Sequence, residues 1–174
     1  VNYLIAYTGT ATELTLPENY SGKTYEICDY AFYRCSGLTG IVIPDGVTNI
    51  GSSAFEKCEN LTTVIIGNGV TGIGSSAFMY CGSLTDVTIG SSVTDIGKNA
   101  FTFCGSLTSI VIPDNVTNIG SGTFLRCYNL TNVIIGDGVT SVGAFAFEYC
   151  NLKSIVIGSG ITEISHDAFF AAYV

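Results

Sequence analysis

One pattern constrains this chain more than any other: its cysteines recur at a fixed interval of 23 residues. The periodic cysteines are Cys35, Cys58, Cys81, Cys104, Cys127 and Cys150. A phenylalanine stands three residues before each of them and keeps the same step. Independent columns that share one period indicate internal repeats, and a period of about 20 to 50 residues is typical of solenoids and other repeat architectures.

The repeat unit reads L-T-x-[IV]-x-I-[PG]-x-x-[VI]-T-x-[IV]-G-x-x-A-F-x-x-C-x-x. Successive units start at Leu38, Leu61, Leu84, Leu107, Leu130 and Leu152. The last of these leucines comes one residue early, because only Asn151 separates it from Cys150.

Each unit predicts two short strands and one helical turn. In the fourth unit, residues 107–112 are rich in β-branched side chains and predict a strand. Ile110 and Ile112 are expected on one face, because side chains alternate along a strand. Residues 116–119 predict a second short extended piece, and residues 123–127 fit one turn of helix.

Stacking of the units is the only way to bury their apolar faces, since one unit alone cannot do so. The sequence therefore predicts an α/β repeat solenoid. It would be a right-handed leucine-rich-repeat superhelix with 23-residue rungs, strands pairing in parallel about 4.8 Å apart, and a short helical turn in each rung. We expect a single domain over residues 1–174, with six regular rungs over residues 38–174. Residues 1–37 depart from the unit and are interpreted as an irregular N-terminal cap and first rung.

Both ends of the predicted solenoid differ from the regular rungs. Apolar residues alternate at the N-terminus, and the segment Thr8-Gly9-Thr10 that follows predicts a β-hairpin in the cap. The alternating residues are Val1, Tyr3, Ile5 and Tyr7. The C-terminal residues 168–174 are mostly apolar. A solenoid end needs a cover, so we expect this end to continue or to make an end-to-end contact with a partner.

The charge pattern excludes several classes of partner. The formal net charge is -8, and the six Lys and Arg residues are scattered along the sequence, so no basic face for nucleic acid can be assembled. An acidic surface is also repelled by anionic membranes, and no apolar run of about 18 residues could span a bilayer. We therefore predict no nucleic-acid partner and no direct membrane insertion.

The unit resembles the BspA-like leucine-rich repeat family, also called the Treponema pallidum type. The resemblance is carried by Leu107-Thr108-Ser109-Ile110-Val111-Ile112-Pro113, then by Ile119-Gly120 and by Phe124-x-x-Cys127. It covers residues 38–174 throughout and residues 11–37 loosely. It implies a bacterial cell-surface or secreted protein, with repeats that often form one part of a longer chain and act in adhesion or protein binding. It implies no shared functional residues, and a signal or anchor is expected outside this chain.

The six periodic cysteines are interpreted as buried, reduced core residues. They share one column beside phenylalanine, where cysteine acts as a small hydrophobic residue. The sequence has no C-x-x-C pair and His166 is its only histidine, so no metal site is predicted. Cys28 stands where later rungs carry glycine, and we interpret it as a corner residue.

Three further motifs are interpreted as structural. Residues 67–72 match G-x-G-x-x-G, but the helix that a dinucleotide site requires is replaced by a short extended segment. Residues 165–167 read Ser-His-Asp, but adjacent residues are not expected to reach the geometry of a catalytic triad. A turn column lacks the repeat that binds calcium, so its side chains are interpreted as turn formers. The column is Asp45, Asn68, Asp114 and Asp137. No catalytic residue, cofactor or metal is therefore predicted.

These observations favour a non-enzymatic binding module, exposed on a surface or secreted, whose partner is a protein or a glycan, as in adhesion to host or cell-surface ligands. A passive spacer within a longer bacterial surface protein is the alternative. An enzyme is disfavoured, because a regular unit gives little means to build a concave pocket with converging polar groups. A binding module should carry an apolar or aromatic surface patch, whereas a spacer should have uniformly polar faces.

Two surfaces are candidates for partner binding. The first is the set of outward-pointing residues at the centre of each first strand, namely Val42, Ile65, Thr88, Val111, Ile134 and Val156. Strand propensity alone would also account for these β-branched side chains. The second is the edge of the predicted helical turn, where aromatic and Met residues of the kind enriched at interface cores are expected to face outward. This second set is Met79, Tyr80, Phe103, Leu125 and Tyr149. We favour the first set slightly.

Overall fold

The computed structural model describes residues 2–4 and 6–172, which form a parallel-strand solenoid of about seven turns. Its strands lie on two faces. The first face contains β2 (Glu13–Thr15), β4 (Gly40–Ile43), β6 (Thr63–Ile66), β8 (Asp86–Thr88), β10 (Ser109–Ile112), β12 (Asn132–Ile135) and β14 (Ser154–Val156). The second face contains β1 (Asn2–Leu4), β3 (Tyr25–Ile27), β5 (Val47–Ile50), β7 (Gly72–Ile73), β9 (Asp95–Ile96), β11 (Asn118–Ile119), β13 (Ser141–Val142) and β15 (Glu163–Ile164).

The register of the strands follows the sequence period, which confirms the predicted stacking. On the first face Val42 pairs with Ile65, and Val111 pairs with Ile134, each 23 positions further along the chain. On the second face all eight strands form one continuous parallel sheet. Each rung is therefore bonded to the rungs before and after it, as expected for a solenoid.

A stack of phenylalanine rings runs through the core. Neighbouring rings from Phe32 to Phe169 lie 4.7–5.5 Å apart, centroid to centroid, and are within 13° of parallel. Tyr7 of the cap stacks on Phe32 at 5.1 Å. The inward leucine, isoleucine and valine residues of both faces pack around this stack in one hydrophobic cluster. Both the alternation of the first strand and the phenylalanine column were thus predicted correctly.

The helical turn predicted for each rung is wrong, because residues 2–4 and 6–172 contain no helix. Residues 51–58 and their equivalents form an arc of consecutive tight turns. Along this arc, alternate N–H groups are donated to the following rung, as the N–H of Phe55 is to the carbonyl of Ala77 at 2.7 Å. The others bond three residues back, as Cys58 does to Phe55. A helix would use all of these donors within its own rung, whereas the arc uses half of them to join rungs.

The N-terminal cap joins the solenoid as an extra strand. β1 pairs in parallel with β3 on the second face, whereas β2 lies on the first face. The hairpin predicted around Thr8-Gly9-Thr10 is therefore wrong, because the strands on either side of it belong to different sheets. Two residues of that predicted alternation, Val1 and Ile5, lie outside the described residues.

The first face is divided between β8 and β10, whereas the second face is continuous. A proline at the corner does not by itself account for the division, because Pro44 occupies the same corner after β4, and β4 pairs with both β2 and β6. The corner that follows Pro113 in the next rung is Gly136. An added Cβ there would lie 2.6–2.7 Å from atoms of Asp114 in the preceding rung, and the N–H of Gly136 donates to the carbonyl of Ile112.

No helix among the described residues is long and apolar enough to cross a membrane.

Candidate binding surfaces

The outward residues of the first face form a ribbon of aliphatic side chains. The exposed fractions of Ile65, Val111, Ile134 and Val156 are 42–56%. Thr88 is exposed, whereas Val42 is half-buried. The parallel register places these residues side by side, but the division between β8 and β10 separates Thr88 from Val111. The ribbon therefore has two parts, and its uninterrupted aliphatic part is Val111, Ile134 and Val156.

The second candidate surface contains a ladder of aromatic and cationic side chains on the arcs, which we call the arc ladder. Its members are Arg34, Lys57, Tyr80, Phe103, Arg126 and Tyr149. The Tyr80 and Phe103 rings stack with centroids 4.7 Å apart. The guanidinium of Arg126 lies between two rings, 5.2 Å from the centroid of Phe103 and 5.3 Å from that of Tyr149. Lys57 Nζ lies 5.7 Å from the centroid of Tyr80.

The backbone of the arc ladder is held in the left-handed region, with φ between 57° and 63° at all six positions. This conformation costs a residue other than glycine roughly 1–2 kcal/mol. Four residues earlier the arc has a second left-handed position, which is occupied by Tyr30, Ser53, Ser76, Asn99, Gly122 and Phe145. Side-chain contacts worth about 0.5–1.5 kcal/mol each offset part of the backbone cost at the ladder positions.

Sequence reasoning found only the aromatic half of this ladder. Met79 and Leu125 are half-buried and occupy the neighbouring column, one residue before the ladder. The cations were missed, although their spacing was visible: Lys57 lies 23 residues before Tyr80, and Arg126 lies 23 residues before Tyr149. Alternation of cations with aromatic residues at one repeat position is the signal that could have revealed the ladder.

The periodic cysteines are free thiols, and the five from Cys58 to Cys150 are buried. Each of these five donates an S–H bond to a phenylalanine carbonyl of the preceding rung, as Cys104 does to Phe78 at 3.2 Å. Burial raises the pKa of Cys104 and Cys127 well above its usual value, and raises that of Cys58 to about 12. The prediction of burial is wrong for Cys35, which is half-buried because the irregular cap covers it incompletely.

The Ser-His-Asp segment does not form a triad. His166 and Asp167 do meet, with Nε2 and Oδ1 2.8 Å apart, but this contact alone is not the relay geometry that was expected to be out of reach for adjacent residues. His166 is almost fully exposed, and no hydrogen bond between Ser165 and His166 is present in the described part of the chain. The pair therefore lacks both the nucleophile and the enclosure that a hydrolase needs.

The turn column of Asp and Asn acts between rungs. Asp45 accepts the backbone N–H of Asn68 at 2.6 Å, and Asp137 accepts that of Ser159 at 2.7 Å. The hydrogen bonds from Ser159 lower the pKa of the Asp137 carboxyl. Among the described residues, no group of three or more His, Cys, Asp or Glu side chains could hold a metal ion. These oxygens are thus used to cap the next rung.

The last rung leaves apolar side chains uncovered. Ile157, Ile164 and Phe170 are exposed at this end, while Phe169 continues the core stack by packing on Phe147. The described end is therefore apolar, and an end-to-end contact through it stays a prediction.

Comparisons with known proteins agree with this architecture. A sequence profile described as BspA type leucine rich repeat region matches six copies, over residues 2–131 and 54–173. A leucine rich cell surface protein from Faecalibacterium prausnitzii is 38% identical to this chain, with a TM-score of 0.83. The match covers 96% of this chain and 48% of the F. prausnitzii chain. The T. pallidum leucine rich repeat protein is 31% identical to this chain, with a TM-score of 0.81. The match covers 92% of this chain and 72% of the T. pallidum chain.

A leucine-rich repeat protein from Bacteroides ovatus is 29% identical with a TM-score of 0.52, covering 79% of this chain and 46% of its own. The chain thus spans about half the length of the F. prausnitzii protein. No curated protein matches it in sequence.

Proposed function

Because this chain belongs to the BspA type leucine-rich repeat family, we propose that it is a non-enzymatic binding module that holds a protein or glycan partner on its first face. Leucine-rich repeat families generally provide protein-binding scaffolds. The observation that supports a binding role here is the uninterrupted run of Val111, Ile134 and Val156, which are half exposed and are covered by no element of the described part of the chain. Contiguous exposed apolar side chains of this kind mark interaction sites.

The arc ladder is the weaker candidate, because its side chains are already used within the chain. The flat faces of Tyr80 and Phe103 are covered by each other and by the neighbouring cations Lys57 and Arg126. A partner could reach mainly the ring edges. The aliphatic ribbon has no such internal use, so we place the partner there.

We further propose that the module acts on a bacterial cell surface or as a secreted protein. Proteins of this type are typically bacterial surface proteins, and the F. prausnitzii relative is described as a cell surface protein. The uncovered apolar side chains of Ile157, Ile164 and Phe170 suit a further contact at the C-terminal end. Such a contact would join the module to a neighbouring rung or partner.

Binding to immobilised mucin, collagen and laminin, measured by surface plasmon resonance, tests the ribbon. The triple variant Val111→Thr, Ile134→Thr and Val156→Thr keeps β-branching but loses apolar area, and we expect it to bind at least about tenfold more weakly. Thr88→Val is the matched control on the same ribbon. It adds apolar area instead of removing it, so this variant should bind the partner more tightly.

Unchanged affinity in a folded triple variant would exclude the ribbon. A loss of binding only in Tyr80→Ala and Phe103→Ala would move the site to the arc ladder. If the unmodified chain bound none of the three surfaces, the binding role in adhesion would be contradicted in favour of a spacer.

A further inference from the structure

A cleft of about 470 Å³ opens beside the only short rung, and it is lined by Tyr128, Tyr149, Cys150 and Asn151. After each of the other five periodic cysteines two residues precede the next leucine, whereas Asn151 stands alone between Cys150 and Leu152. The volume lies within the range of about 300–1,000 Å³ that is typical of small-molecule sites.

The shortened junction lies at the cleft. In two of the longer junctions the residue before the leucine is an asparagine whose side chain reaches back over the preceding rung. Asn60 Nδ2 donates to the carbonyl of Ser36, and Asn129 Nδ2 donates to the carbonyl of Gly105, both at 2.8 Å. Asn151 also stands directly before its leucine, but no side-chain hydrogen bond from Asn151 to the carbonyl of Tyr128 is present among the described residues. Tyr128 is 50% exposed.

The arc ladder also ends at this cleft. Tyr149 is its last ring, and Arg126 covers the side that faces the preceding rung. The next residue in the ladder column is Ala171, which shares the left-handed backbone with φ of 49° but has no ring. The other side of Tyr149 is therefore left without a stacking partner from the ladder, and 38% of this residue is exposed.

The chemistry of the lining selects among ligands. Two phenol rings, two phenol hydroxyls and the exposed Asn151 amide are all uncharged groups at neutral pH. Arg126 already occupies one face of Tyr149, so a second cation on the opposite face would be repelled. Flat aromatic faces pack against the C–H groups of a saturated ring, and hydroxyls and amides hydrogen-bond to its hydroxyl groups.

We propose that the Tyr128–Tyr149 cleft binds a neutral pyranose ring of an oligosaccharide. The ring would stack on the open face of Tyr149, in the place where the ladder lacks its next aromatic side chain, with Tyr128 as the second wall and Asn151 as the hydrogen-bonding group. This assignment rests on the proposed binding function and gives it a glycan site separate from the aliphatic ribbon.

Titration of the full chain with maltotriose, cellotriose and triacetylchitotriose tests the proposal. Only two of the ten Tyr line the cleft, so the assigned NMR signals of the Tyr128 and Tyr149 rings report directly on it. We expect at least one of these sugars to bind with a dissociation constant of about 1 mM or lower. Tyr128→Ala and Tyr149→Ala should each weaken binding at least about tenfold, whereas Tyr30→Ala, at an exposed tyrosine elsewhere, should leave it unchanged.

An insertion provides the sharpest test. One Asn inserted between Asn151 and Leu152 restores the two-residue spacing found after the other five periodic cysteines, so this variant should fold, close the cleft and abolish sugar binding. The proposal is overturned if no sugar binds, if the insertion variant binds normally, or if only a proline-rich or aromatic peptide saturates the cleft. The triple threonine variant of the ribbon should keep its sugar affinity, so failure of the cleft and failure of the ribbon are distinguishable.

Discussion

Replacement of Phe101 by alanine should destabilise the solenoid severely and locally. Phe101 is fully buried, and its ring stacks on Phe78 at 5.3 Å and on Phe124 at 5.5 Å. Truncation of a buried phenylalanine costs about 3–5 kcal/mol through lost burial and the cavity left behind. Two stacking contacts of about 0.5–1.5 kcal/mol each are lost with the ring, so we expect the upper end of that range, about 4–5 kcal/mol.

Phe103→Ala is the matched control, two residues further along the same arc. Phe103 is half-buried and contacts Tyr80 and Arg126 on the surface, so its loss should cost only about 1–2 kcal/mol. Urea unfolding followed by far-UV circular dichroism measures both free energies. Equal losses in the two variants, or a loss below about 1 kcal/mol for Phe101→Ala, would refute the assignment of the phenylalanine column as the core.

The spatial range of the effect is a second readout. Each rung contacts only its neighbours, so hydrogen exchange in Phe101→Ala should accelerate first in residues 78–124. Uniform acceleration across all rungs would instead indicate that the solenoid unfolds as a single unit.

Three other predictions follow from the same contacts. In the native protein a thiol reagent should label Cys28 and Cys35 and leave Cys58, Cys81, Cys104, Cys127 and Cys150 unmodified, and rapid labelling of more than two thiols would contradict their burial. Because burial raises the pKa of the five buried thiols above the usual value of 9.0, only the unfolded state loses these protons just above pH 9. Each such thiol should then lower stability by about 1.4 kcal/mol per pH unit until its native pKa is reached, and a urea midpoint that stays constant from pH 9 to 10 would be inconsistent with this. Gly136→Ala should lose about 1–3 kcal/mol by forcing β10 and β12 apart, whereas Gly105→Ala, whose added Cβ would meet only Tyr128 at 3.8 Å, should stay within about 0.5 kcal/mol of the unmodified chain.

The sequence was sufficient to predict those features that depend on the same residue type recurring at one position of every repeat. The 23-residue step of Cys and Phe gave the rung, and the alternation of Ile110, Val111 and Ile112 gave the inward and outward faces. The arc was misread as a helix because both structures place residues three apart on the same side. The two structures differ in which carbonyl groups accept the hydrogen bonds of alternate N–H groups. In the arc these acceptors lie in the next rung, so the difference cannot be seen in the sequence of one segment.

The surface features depend on exceptions to the repeat rather than on the repeat itself. The arc ladder needed the recognition that Lys57 and Arg126 occupy the same column as tyrosine. The division of the first face could not be predicted from its corner residue, since Pro44 and Pro113 share one column but only β10 has lost the pairing with the preceding strand. The cleft beside Asn151 was already marked by the early position of Leu152, although its lining could not be known without the stacked rungs.

The division between β8 and β10 leaves one side of this rung boundary without strand pairing. β9 and β11 remain bonded behind it on the second face, and the arc joins the same two rungs through the N–H of Phe101 and the carbonyl of Thr123 at 2.9 Å. The aliphatic ribbon is therefore two patches, one ending at Thr88 and one beginning at Val111. A partner that covers the whole ribbon must span the gap between them.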